Sequence, residues 1–202
     1  PKLLGYASLR VLNQEVLAPG ASFQPRTYHK VDILNLILEG EAEYRDSEGH
    51  HVQAKAGEAL LIATQPGISY SEHNLSKDKS LTRMQLWLDA CPERENALVQ
   101  KMVLADHAQQ LLASPDGSEG SLQLRQQVWL HHIELESGEE LSFHLHGPRA
   151  YLQSIHGSVH AVTHQTEQQA LTCGDGAFIR DEPNITLVAD TPLRALLIDL
   201  PM

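Results

Sequence analysis

The chain has 202 residues, 42% hydrophobic and 20% charged, with a formal net charge of −11, which is long enough to bury one large core or two small ones. Its Lys and Arg residues form no cluster, which argues against direct nucleic-acid binding. No apolar run reaches the roughly 18–20 residues that cross a bilayer as a helix, so no membrane partner is expected.

In chain order the signals are those of short strands. Residues 9–12 are β-like, and residues 31–38 are almost continuously apolar, as in a strand buried on both sides. Met84, Leu86 and Leu88 alternate with Arg83, Gln85 and Trp87. Residues 95–112 carry the chain's one possible helical periodicity and serve equally well as a linker. Leu122, Leu124, Val128 and Leu130 share a face opposite Gln123, Arg125 and Gln127, and residues 193–200 form a last apolar strand. Turn signals separate these runs, among them Asp46-Ser47-Glu48-Gly49, Gln65-Pro66-Gly67, Pro115-Asp116-Gly117 and Cys173-Gly174-Asp175-Gly176. Many short strands at regular spacing predict barrels or sandwiches.

A pattern recurs about 118 residues apart. Gly20-x5-Arg26-x-Tyr28-x3-Asp32, ending at Gly40, matches Gly138-x5-His144-x-His146-x3-Ala150, ending at Gly157. Gly57-Glu58 and Gly174-Asp175 keep the spacing. One fold unit therefore occurs twice. The predicted divisions are a first barrel over 1–97, a connecting segment over 98–118 and a second barrel over 119–202. The chain does not begin with Met, and an upstream segment is expected to be missing.

The template G-x5-H-x-H-x3-E-x6-G resembles the first motif of cupin β-barrels. The stretches Leu9-Arg10-Val11-Leu12-Asn13, Ala18-Pro19-Gly20, Leu38-Glu39-Gly40, Gly67-Ile68-Ser69-Tyr70-Ser71-Glu72 and Gln85-Leu86-Trp87 resemble the pirin family of bicupins, in order and spacing, over about the first 90 residues. The resemblance implies an all-β fold of two tandem double-stranded β-helix (jelly-roll) barrels. It also implies an iron-type metal in the N-terminal cup, held by two histidines of an H-P-H-R run and by the histidine and glutamate of G-I-x-H-x-E. Those positions read Arg26, Tyr28, Tyr70 and Glu72 here. A guanidinium has no lone pair to offer a cation, and a phenol resists ionising at neutral pH. His29 and His73 neighbour the lost ligands, but side chains alternate along a strand, so they are expected to point outward. Arg26, Tyr28, Tyr70 and Glu72 either form a donor-rich pocket for a small anionic ligand or satisfy one another through an Arg26–Glu72 pair.

In the second repeat His144 and His146 fill both histidine slots and are expected to point the same way, but Ala150 replaces the acid and Ile185 falls near the last histidine slot. They are weak metal candidates, with His131, His132, His156, His160 and His164 as possible partners. The two cysteines match neither a zinc spacing nor a disulfide framework, so free thiols in the cytoplasm are expected. Cys91, at a strand end near Arg94, is the candidate for reversible oxidation; Cys173 has less to recommend it. The reading is a cytoplasmic, metal-free ligand-binding or redox-responsive module with no cofactor. The alternatives are a quercetin 2,3-dioxygenase-type oxygenase using iron or another divalent transition metal, and a regulatory protein-interaction module.

Overall fold

The computed structural model describes residues 8–26, 30–163 and 169–201. Apart from a 3-10 turn at Ser118–Gly120, the regular structure among them is all strand, so the all-β expectation holds. No helix there is long and apolar enough to cross a membrane.

The strands fall into two units. The first contains β1 (Leu9–Leu17), β2 (Ser22–Arg26), β3 (Val31–Glu39), β4 (Glu41–Asp46) and β5 (His51–Lys55). It continues with β6 (Glu58–Ala63), β7 (Tyr70–Asn74), β8 (Leu81–Asp89) and β9 (Val99–Val103). The second unit starts at β10 (Gln109–Ser114), while the short β11 (Leu122–Gln123) counts with the first. Then come β12 (Trp129–Leu135), β13 (Glu140–His144), β14 (Arg149–His156) and β15 (Val159–Val162). The last are β16 (Gln169–Leu171), β17 (Gly176–Arg180), β18 (Asn184–Ala189) and β19 (Leu193–Asp199).

Strand order makes the duplication explicit. In the first unit β1-β8-β3-β6-β9 faces β2-β7-β4-β5; in the second β10-β12-β19-β14-β17 faces β13-β18-β15-β16. Replacing β1-β8-β3-β6 by β12-β19-β14-β17, and β2-β7-β4-β5 by β13-β18-β15-β16, maps one onto the other. The repeat glycines explain why those positions are kept. Gly40 and Gly157 close the β3–β4 and β14–β15 turns at φ +86° and +88°. A Cβ there would lie 2.7 Å from the Ser80 carbonyl oxygen and 2.0 Å from that of Pro192. No L side chain fits either condition.

Each unit has its own core. Ile33, Ile37, Tyr44, Leu60, Ile62, Tyr70 and Leu81 pack inside the first; Ile133, Phe143, Leu145, Leu152, Ile185, Leu187 and Leu197 pack inside the second. Residues 32–37 of β3 are buried on both faces, as the apolar run predicts.

The helical periodicity over 95–112 does not become a helix. The region forms β9, which pairs with β6, and β10, which pairs with β12. Its four consecutive buried residues, Leu111 to Ser114, belong to a strand covered on both faces, a pattern that a one-sided helix cannot produce. The stretch anticipated as a connecting segment thus contributes a strand to each unit.

Candidate functional site

Strand alternation aims Tyr70, Glu72 and Asn74 of β7 inward and leaves Ser71 and His73 half-exposed, where His73 Nε2 meets the Ser71 hydroxyl at 2.9 Å. His73 therefore faces away from the cup, as expected. Arg26 stands opposite Tyr70 in the β2–β7 ladder. Tyr28, His29 and His164 lie outside the described residues.

Glu72 is held by residues that the motif comparison does not involve. The Arg83 Nη1 donates to Glu72 Oε1 at 2.7 Å, and the Asn35 amide donates to the same oxygen at 2.6 Å. Arg83 Nη2 also reaches Glu15 Oε2 at 3.0 Å. Behind them Gln85 donates to Asn35 Oδ1 at 2.9 Å, and the Trp87 indole donates to Gln85 Oε1 at 3.0 Å. The Trp87, Gln85 and Asn35 donors all run in one direction, toward the Glu72 carboxylate. Side-chain exposure is only 3% for Arg83 and 5% for Glu72, so water competes little with the pair. Burial alone would lower the Arg83 pKa, but its attraction to Glu72 and Glu15 outweighs that and raises it. The guanidinium stays charged.

Above this layer Tyr44 stacks on Tyr70 with ring centroids 5.9 Å apart. The Tyr44 hydroxyl donates to Asp46 Oδ2 at 2.8 Å. Burial, then the bond to Asp46, raises its pKa, so this phenol keeps its proton.

Among the described residues, the positions that the family resemblance assigns to a metal offer one carboxylate, Glu72, with a guanidinium 2.7 Å away, and one ring, that of Tyr70. A divalent iron-type ion needs several neutral imidazoles or carboxylates with open positions.

In the second unit His144 and His146 are both exposed, on the side away from the core, and they take different partners. Strand β13 ends at His144, and the core-facing residues there are Phe143 and Leu145. His144 is exposed, with Nδ1 2.9 Å from Asn184 Oδ1, whereas His146 Nδ1 meets Asp199 Oδ2 at 2.9 Å. The other histidines are spoken for separately: His131 by Gln109 at 2.9 Å, His132 by Arg194 at 2.9 Å and His160 by Asp190 at 2.8 Å. His156 is exposed. Ile185, in the remaining slot, is core.

His131 and His132 face opposite sides of β12, as adjacent strand residues must. Burial, then the charge of His146 or Arg194 respectively, pushes each pKa down to about 4. An unfolded imidazole titrates near 6.5, so between those values the unfolded chain binds a proton that the folded chain refuses. Stability should therefore fall as pH drops through this window, by up to about 1.4 kcal/mol per pH unit for each group. Urea midpoints compared between neutral pH and about pH 4.5 are expected to show this loss. His132→Gln, which keeps an acceptor for Arg194, should flatten it; an unchanged slope would remove His132 from the account.

The cysteines are free: Cys91 is half-buried, with its backbone N–H on the Arg125 carbonyl at 2.7 Å, and Cys173 is exposed, its thiol donating to the Ile155 carbonyl at 3.2 Å. Cys173 is thus the more exposed residue of the two.

Comparison with known proteins agrees with this architecture. The Pirin family model matches residues 3–88, and a model described as the quercetinase C-terminal cupin domain matches residues 111–200. The chain is 80% identical over 202 residues to the pirin-like protein YhaK of Escherichia coli (strain K12), spanning 100% of this chain and 87% of that protein. The crystal structure of YhaK from Escherichia coli superposes with a TM-score of 0.93, covering 99% of this chain and 88% of that one. The quercetin 2,3-dioxygenase of Escherichia coli (strain K12) is 33% identical over 206 residues, 100% of this chain and 86% of its own. The bacterial pirin YhhW of Escherichia coli in complex with nickel(II) is 30% identical, with a TM-score of 0.89 over 98% of this chain and 84% of that one.

Proposed function

Because the chain belongs to the pirin family of two-barrel cupins, we propose that it is a metal-free member whose first cup binds a small ligand instead of holding a metal for oxygen chemistry. One observation carries this reading: the Glu72 carboxylate is paired with the Arg83 guanidinium, its Oε1 accepting from Arg83 and Asn35 at 2.7 and 2.6 Å. An internal guanidinium fills the electrostatic role of the cation. A metal that took Glu72 would have to displace a buried charge and leave it unpaired.

The Asn35–Gln85–Trp87 run of hydrogen bonds and the stacked Tyr44–Tyr70 rings supply the polar groups and the planar apolar surface that such a ligand would use. Arg83 is neutralised by two glutamates, so the anion expected from the sequence would have Arg26 as its counter-charge. A cytoplasmic setting suits the free thiols.

Nickel(II) and iron(II) titrated into the purified protein should give no stoichiometric tight binding. One metal per chain, lost on Glu72→Ala, would overturn the reading and favour a quercetin 2,3-dioxygenase-type activity, for which flavonol turnover is the next assay. In a thermal-shift screen, small carboxylates should stabilise the native protein and fail to stabilise Arg26→Ala. Selective peroxide oxidation of Cys91 over the more exposed Cys173 would instead favour a redox-responsive role.

A further inference from the structure

The end of the second barrel carries a titratable pair that plays no part in the first cup. Along β19 the inward positions Leu193, Ala195 and Leu197 belong to the core, and Asp199 continues that parity with only 1% exposure. It lies directly across from Ala150, the slot at which the repeat pattern would place an acid. The carboxylate of the second cup therefore stands one strand over from its expected place.

Asp199 Oδ2 accepts the backbone N–H of His146 at 2.8 Å and faces its Nδ1 at 2.9 Å. Its other oxygen, Oδ1, is buried and has no hydrogen-bond partner among the described residues. A carboxylate accepts only, so it assigns the ring proton to Nδ1 and leaves the lone pair on Nε2. Trp129 lies flat on one face of the ring, with centroids 3.6 Å apart and planes 4° from parallel. The side chain is nevertheless 48% exposed. With one face and the Nδ1 edge covered, the Nε2 edge is what remains to meet solvent. The chain supplies its own control in His144, which is exposed but leans on the neutral amide of Asn184.

We propose that His146 is a nucleophilic imidazole that accepts an acyl group from activated esters, with Asp199 as its positioning residue. An oriented base backed by a buried carboxylate is the arrangement that activates imidazoles in acyl transfer. Nε2 forms a bond to the ester carbonyl carbon, the bond to the leaving oxygen breaks, and the leaving group departs with the electron pair. The Nδ1 proton stays on the hydrogen bond to Asp199, which offsets the positive charge of the acylated ring. Water then adds its oxygen to the acyl carbon and the carbon–nitrogen bond breaks, releasing the carboxylic acid, passing one proton to solvent and returning the neutral imidazole.

The test uses p-nitrophenyl acetate with the whole chain near neutral pH, reading p-nitrophenolate release. His146→Gln is expected to lower the rate about tenfold, and His144→Gln to change it by less than about twofold. Asp199→Asn should lower kcat and leave KM unchanged with the rate normalised to the folded fraction read from its urea unfolding curve, since unfolded chain by itself lowers apparent kcat at constant KM. In case a variant does not fold, mass spectrometry of the wild-type protein quenched within the first turnover locates the acetyl group. Acetyl on His146 ahead of His144 supports the proposal. Acetyl distributed evenly over the exposed histidines, or a His146→Gln rate equal to wild type, overturns it.

Discussion

Arg83→Met is expected to destabilise the protein by about 3–5 kcal/mol, because it strips the counter-charge from a buried carboxylate. Glu72 is 5% exposed at its side chain, and its remaining neighbour, the Asn35 amide, offers a dipole in place of a charge. Glu15 loses the same partner, but it is more exposed and water replaces part of the interaction. The loss measures a charge left alone, and the net worth of the pair is smaller. Arg83→Met/Glu72→Gln should therefore recover a large part of the stability, since it removes both charges and retains an acceptor for Asn35. Urea unfolding of the four forms completes a double-mutant cycle. Additive single-variant effects would mean that the pair is not coupled, and the view of Arg83 as an internal cation would fall with it. The Trp87 indole bonds to Gln85 in the same chain of donors, so its fluorescence should report the disturbance locally.

Much of the fold is legible because the repeat is written in turns. Gly40 and Gly157 recur at the spacing of the pattern, and both close turns that only glycine can make. The buried β3 strand is equally readable from its apolar run. The site is less so, for a physical reason. Alternation in residues 83–88 suggests an apolar face of Met84, Leu86 and Leu88 turned to the core and a polar face turned to solvent. The strand is buried on both faces, and it is Arg83 and Gln85 that line the barrel interior, with Trp87 packed against the core beside them. The available signal was Asn35, a lone amide in the run of residues 31–38. A buried amide needs partners, and Glu72, Gln85 and Arg83 are polar residues on the strands that can reach it. The Arg26–Glu72 pairing considered from the motif had no such constraint behind it. Spacing also could not show that His144 and His146 both lie on the exposed side of their stretch, or that the acid missing at Ala150 is offered by Asp199 across the ladder.

Arg125 was legible only as part of a polar face with Gln123 and Gln127, yet its side chain is 0% exposed. Its backbone N–H donates to Asp32 Oδ2 at 2.6 Å and its Nε to Asp32 Oδ1 at 2.9 Å, while Nη2 donates to the carbonyls of Val31 and Thr64 at 2.9 and 3.0 Å. Asp32 occupies the acid slot of the first repeat, so the carboxylate that the cupin pattern assigns to a metal here fastens the segment Leu122–Gln126 to the first unit. Nearby, Gln100 and Gln123 bond reciprocally at 3.1 and 3.0 Å. Arg125→Met should cost about 3–5 kcal/mol, and Arg125→Lys should not rescue it, since an ammonium cannot satisfy Asp32 and two carbonyls from one stem. The pH dependence supplies a second readout. Burial raises the Asp32 pKa against the hydrogen bonds from Arg125. Without the guanidinium that rise must grow, and a carboxyl whose folded pKa lies above its unfolded value favours the folded state more as pH falls. The deficit of Arg125→Met relative to wild type should accordingly shrink on going from alkaline to mildly acidic conditions, as Asp32 takes up a proton and its buried charge disappears. A deficit that stays constant across that range would show that Asp32 is not the group left stranded.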